Sequence, residues 1–242
     1  MIKVELTKNY TGINISGDYE DLDFLYDSIH YFIKEEPKSL IEESMQDHIF
    51  GFLYEVRHCY QGDRDFKFVD NELREEVREY QKIPKKEISN NNLYYSFDYV
   101  LTDLFTDMVL IKYFIMNIPK TEKNDYNPYL NNVKLFYSQI LNLMQEILTP
   151  TKMKKLEKGL IDTIISDKIF FPQWFDVITC NYLKQTKEKR VKELSKTLDA
   201  IYNYSDYIDY SEMKIEVEKY CNENNCLITN VTMCEYPDEI EW

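Results

Sequence analysis

Only five glycines punctuate this 242-residue chain, at positions 12, 17, 51, 62 and 159, with seven prolines beside them. A strand-rich fold turns every few residues and draws on both residue types, so this scarcity favours long helices. It also removes several enzyme signatures at once. The phosphate-cradling GxxxxGK[ST] loop, the dinucleotide-binding GxGxxG turn and the GxSxG nucleophile elbow all need glycines at spacings this chain lacks. His30, His48 and His58 are the only histidines. They form no HExxH zinc motif, and none lies late enough to complete the Arg…His pair of a helical ribonuclease.

Periodicity divides the chain. Ile2, Val4 and Leu6 alternate with polar residues, as do Ile13 and Ile15. With Asn9-Tyr10-Thr11-Gly12 between them, they predict a β-hairpin with one buried face. Asp18, with Asp21 three residues on, reads as a helix cap, and Leu22, Leu25, Ile29 and Phe32 form the stripe behind it. A second helix follows Ser39, with Ile41, Met45, Ile49, Phe52 and Val56 on one face. Phe66 and Phe68 alternate within a strand expected over 64–70, and a charged helix ends near Pro84. Residues 82–92, with Pro84 and three consecutive asparagines, read as a linker. From Leu93 the pattern is helical: Leu93, Phe97, Val100, Leu104, Met108, Ile111 and Ile115 make one long stripe, and further stripes follow to about residue 222. Leu227, Thr229, Val231 and Met233 alternate again, which predicts a closing strand over 227–234 that returns to the N-terminal sheet. The expected fold class is α+β and predominantly helical. A small antiparallel sheet, from the N-terminal hairpin, strand 64–70 and strand 227–234, packs with a helical bundle. Residues 1–84 would be a small α/β domain completed by a C-terminal strand in 226–242, and residues 93–225 the helical region.

The formal charge is −14, which repels nucleic acid over most of the surface. Residues 150–196 depart from this trend, with 11 Lys/Arg against 6 Asp/Glu. Within them Lys184, Lys187, Lys189 and Arg190 offer a basic face, with Trp174 and Phe175 nearby as stacking candidates. The alternative is a solvated helix face that complements the acidic surface of the same protein. Five widely spread cysteines, with no basic n-region or apolar h-region at the start, predict free thiols in a reducing cytoplasm. The x4 spacing of Cys221 and Cys226, with Cys234 beyond, leaves a zinc ion short of ligands, so neither metal nor cofactor is expected. No apolar run reaches the ~20 residues that span a bilayer, so no membrane partner is expected.

Arg57-His58-Cys59-Tyr60-Gln61-Gly62-Asp63-Arg64 is the densest polar constellation. As a catalytic site it would use Arg57 and Arg64 as anion clamps and His58 as acid or base. The alternative is a helix end entering a turn, with the arginines paired to neighbouring carboxylates.

Three segments resemble an uncharacterised bacterial family, a domain of unknown function: Thr7-Lys8-Asn9-Tyr10-Thr11-Gly12-Ile13-Asn14-Ile15-Ser16-Gly17-Asp18-Tyr19-Glu20-Asp21-Leu22, then Arg57-His58…Gly62-Asp63-Arg64, and Tyr236-Pro237-Asp238-Glu239-Ile240-Glu241-Trp242. The resemblance implies a bacterial, cytosolic origin and a shared scaffold, and brings no activity with it. The 21 tyrosines, the acidic surface and the missing catalytic motifs lead to a non-enzymatic protein-binding module, such as an inhibitor, immunity or regulatory factor in a bacterial or phage conflict system. A second reading is an enzyme or sensor of a phosphorylated small molecule or RNA, acting through Arg57, His58 and Arg64. The third is a structural homo-oligomer.

Overall fold

The computed structural model describes residues 1–82, 89–163, 165, 169–237 and 239–242. The N-terminal hairpin forms as its alternation dictates, from β1 (Lys3–Leu6) and β2 (Gly12–Gly17). Asp18 then accepts from the Asp21 amide while the Asp21 carboxylate returns to the Asp18 amide, a capping box that starts α1 (Tyr19–Ile33). Ser39 caps α2 (Leu40–His58). A π-helical turn (Cys59–Asp63) ends at Gly62, whose φ of 88° only glycine adopts without strain, and releases the chain into β3 (Asp65–Asp70). α3 (Glu75–Lys82) follows. Pro84 and most of the expected linker fall in 83–88, outside the described residues.

Three expectations need correction. The stripe from Leu93 is not one helix. It splits into β4 (Asn91–Val100) and α4 (Leu101–Asn117). Leu93, Tyr95, Phe97 and Tyr99 satisfy a period of two as well as Leu93, Phe97 and Val100 satisfy a period of 3.6, and the aromatic content favours the strand. Tertiary context decides it. The sheet order is β1-β2-β4-β3, so β4 closes ladders on both edges, with Ile15 opposite Phe97 and Phe66 opposite Tyr95. The sheet thus draws one of its two interior strands from beyond residue 84.

The second correction concerns residues 227–234, which form no strand. A 3₁₀ turn occupies Ile228–Asn230, and the Gln173 amide donates to the Ile228 carbonyl at 2.9 Å. The chain continues as a strap. Cys234 is bridged to Cys180, the Thr11 hydroxyl donates to the Glu241 carbonyl, and the Trp242 ring lies against Gly12. The C-terminus does return to the sheet, by packing on its outer face rather than by joining the ladder. Free thiols were expected throughout, whereas only Cys59, Cys221 and Cys226 are unbridged. Thiol titration of the denatured, unreduced protein should therefore count three groups, and five after reduction. Five before reduction would refute the bridge.

The helical remainder comprises α5 (Pro128–Met144), α6 (Pro150–Asp162), α7 (Phe171–Leu183), α8 (Lys187–Tyr202) and α9 (Ile208–Asn224). Phe52 of α2 meets Phe97 and Tyr99 of β4 at 6.1 and 5.0 Å and Phe136 of α5 at 6.0 Å, so sheet and helices share one core. Ring pairs at these separations add stability beyond the area they bury. Among the described residues, no helix is long and apolar enough to cross a membrane.

Candidate functional site

α1 and α2 each bury one stripe, and what they leave outside is also patterned. Leu22, Leu25, Ile29 and Phe32 face the core, as do Met45, Ile49, Phe52 and Val56. Helical spacing then puts Tyr19, Asp23, Tyr26, Asp27 and His30 on the outer side of α1, and Asp47, Phe50, Gly51, Tyr54 and His58 on that of α2. Their rings join into a stripe across the helix pair. Tyr60 meets Tyr19 at 5.3 Å and Tyr26 at 6.4 Å, Tyr26 stacks on His30 at 5.8 Å, and His30 reaches Phe50 at 6.4 Å. Tyr54, one turn on from Phe50, contacts His58 at 4.1 Å and carries the Arg57 guanidinium 5.8 Å above its ring. Phe50 and Tyr54 are 40% and 48% exposed, high for large aromatic side chains within a regular helix. Partial burial, with Asp23 and the neighbouring rings, raises the Tyr60 pKa against the pull of Arg57, so this phenol stays neutral.

The Arg57–Arg64 constellation lies at one end of this stripe, and each member is engaged separately. Arg64 clamps Glu55 through Nε and Nη2 at 2.8 and 3.1 Å, and His58 Nδ1 lies 2.8 Å from Asp63. Arg57 covers Tyr54. The helix-end reading describes this arrangement, with Gly62 supplying the turn.

The basic face is divided. Lys184, Lys187 and Lys189 are exposed, whereas Arg190 is 94% buried, being 6% exposed. Its guanidinium donates to the Tyr182 and Leu183 carbonyls at the end of α7, and to the Asn9 carbonyl and Thr11 hydroxyl of the β1–β2 loop. Arg190 is thus a strut that caps one helix and ties it to the hairpin. Trp174 and Phe175 are core residues, and the indole N–H donates to the Ala200 carbonyl at 2.8 Å, so neither ring is open for stacking. Glu239 and Glu241 of the strap line the same cleft as Lys184 and Lys187.

A buried ionisable cluster that the sequence barely signals lies beneath the strap. His48 Nδ1 sits 3.1 Å from Asp107, whose other oxygen accepts from the Tyr99 hydroxyl at 2.8 Å. Asp103 accepts from the Thr179 hydroxyl at 2.8 Å, and Asp176 and Tyr236 complete the group. Burial alone would lower the His48 pKa, but Asp107, with Asp103 and Asp176 behind it, raises it to about 9. Burial pushes Asp103 up to about 6 against the opposing pull of His48 and Thr179. Asp103 and Asp107, four residues apart on a largely apolar helix, were the one signal in the sequence.

The described residues contain no group of three or more His, Cys, Asp or Glu side chains able to hold a metal ion. No curated protein and no solved structure matches the chain. A domain of unknown function, DUF6904, matches residues 2–242. With nearly the whole length covered, the chain belongs to the DUF6904 family.

Proposed function

We propose that this protein is a non-enzymatic protein-binding module, acting as an inhibitor, immunity or regulatory factor, and that it receives its partner on the aromatic stripe of α1 and α2. The observation that carries this reading is the continuity of Tyr19, Tyr60, Tyr26, His30 and Phe50 across two helices, with Tyr54 and Arg57 beside them. Tyrosine buries a large rigid area with only two side-chain torsions to fix, and arginine adds a planar fork of donors, which is why both are enriched in binding hot spots. The enzyme reading has less support, because Arg57, His58 and Arg64 are each taken up by a neighbour. Nucleic acid is disfavoured as a partner by the −14 charge and by the burial of Trp174, Phe175 and Arg190.

A photo-crosslinking amino acid at position 50, compared with one at the exposed Lys154 of α6, tests the reading in the cells that make the protein. A partner should be trapped from position 50 and not from 154. The Tyr26→Ala/Phe50→Ala chain should remain folded, melting somewhat lower because Tyr26 packs on His30 and Tyr60, yet lose most of its affinity for that partner, since each hot-spot truncation costs about 2 kcal/mol or more. A partner bound equally well by the double variant would overturn the proposal.

A further inference from the structure

α9 ends in a cap built around two cysteines. The backbone turns left-handed at Asn225 (φ 50°, ψ 47°), and the Cys221 carbonyl accepts from the Asn225 amide and, at 3.2 Å, from the Cys226 amide. Such a cap folds the residue just beyond the helix back onto the helix's last turn, a contact usually made by two apolar side chains. Here both are thiols, close enough to interact directly. They share one contact but differ in access, since Cys221 is 9% exposed and Cys226 is half-buried against the core. Cys59, the other unbridged cysteine, is fully buried, and burial pushes its thiol up to about 12. Cys226 also opens the strap, which the Cys180–Cys234 bridge holds to α7 further on.

We propose that Cys221 and Cys226 form a reversible dithiol–disulfide site at the root of the strap, oxidised by a small disulfide. The site is independent of how the aromatic stripe is used. Cys226, the more exposed thiol, attacks first as its thiolate. It bonds to one sulfur of the reagent, and the other sulfur leaves as a thiolate. Cys221 then gives up its proton and attacks the Cys226 sulfur, which closes the bridge and expels the second half of the reagent. The protein loses two electrons and two protons, and the reagent, reduced to two thiols, gains both. A small dithiol reverses the exchange. Closure is local, because the cap already holds the two side chains together, and it ties the root of the strap to α9.

The probe is bis(2-hydroxyethyl) disulfide, uncharged so that the acidic surface does not repel it. It is added to the native protein, and thiols are blocked, counted and mapped by mass spectrometry. Cleavage after Glu223 separates Cys221 from Cys226 and so reveals a bridge between them. The three free thiols should fall to one, Cys59, as the Cys221 and Cys226 peptides become linked. Cys221→Ser should stall with one mercaptoethanol group on Cys226, and Cys226→Ser should leave the buried Cys221 unmodified. Asn225→Gly should close as the wild type does. Asn225→Val, at an exposed position, should close about tenfold more slowly, because a β-branched residue resists the left-handed turn. A wild-type protein that stops at the mixed disulfide, loses Cys59 as readily, or exchanges Cys226 into the Cys180–Cys234 bridge would overturn the proposal. Equal closing rates in Asn225→Val and the wild type would overturn it too, since the cap would then not be what pairs the thiols.

Discussion

Replacing Gly12 by alanine is expected to lower the melting temperature more than a typical single substitution does. The added Cβ would lie 2.1 Å from the Tyr99 carbonyl oxygen, 2.8 Å from its carbon and 2.9 Å from the Trp242 ring. Two of those atoms are backbone, so no rotamer change relieves the contact. The strands themselves must part, where Gly12 opposes Val100 in the β2–β4 ladder. The position is held from several sides: the Gly12 amide donates to the Thr7 hydroxyl and its carbonyl accepts from the Thr7 amide, both at 3.0 Å. One residue earlier, the Leu101 amide donates to the Thr11 carbonyl at 3.1 Å and so fixes the start of α4. Overpacking with side chains alone costs about 1–3 kcal/mol, and a clash with backbone belongs above that range. A loss of about 4 kcal/mol would lower the melting temperature by roughly 10 °C or more in a chain this size. Thermal unfolding followed by circular dichroism measures it. A Gly12→Ala protein melting within a few degrees of the wild type would mean that β2 and β4 do not approach as closely as described.

Local signals told the truth wherever one rule acted alone. Asp18 and Ser39 begin their helices where their capping chemistry places them, and the buried stripes of α1 and α2 are those read from the period. The reading failed where two periods fitted the same residues. Leu93 to Val100 satisfied both, and only the need of β2 and β3 for a common neighbour selects the strand. Alternation at Leu227–Met233 misled for a different reason: a strap pinned by Gln173 and Cys180 half-buries Val231 and Met233 on either side of an exposed Thr232 without joining a ladder, and Leu227 stays exposed. Arg190 looked like surface charge because sequence shows the charge and not the carbonyls that gather around it. The aromatic stripe was legible in principle, since Tyr19, Tyr26 and His30 repeat at helical spacing. Its continuity was not, because Tyr60 and Phe50 join it only through packing.

The second large effect should come from His48, and its sign is set by linkage. The folded protein holds the imidazole proton up to about 9, against an ordinary 6.5. Protonation therefore favours the fold, with a contribution fully present below pH 6.5 and lost as pH rises through 9. Asp103 acts in the same direction over a lower window. Its carboxyl keeps its proton to about 6 rather than 3.8, so folding is favoured below 3.8 and that share is gone above 6. Stability should thus decline from mildly acidic to alkaline pH, contrary to the acid sensitivity expected where native carboxylates are paired and ionised. For His48 the loss across its window is up to about 3 kcal/mol. The groups responsible face the imidazole from two helices, Asp103 and Asp107 from α4 and Asp176 from α7. His48→Gln preserves much of the volume and removes the charge, which leaves Asp107 buried without a counterion. Near neutral pH that should cost about 3–5 kcal/mol, the range for breaking a buried ion pair. Adding Asp107→Asn should recover part of the loss, since the stranded charge is then gone and the Tyr99 hydroxyl keeps an acceptor. Urea unfolding of wild type, single and double variants across this pH range separates the contributions. The wild type should lose stability above neutrality, whereas His48→Gln should be nearly flat there. A parallel decline in both would assign the effect to the chain's overall negative charge and remove His48 as its source.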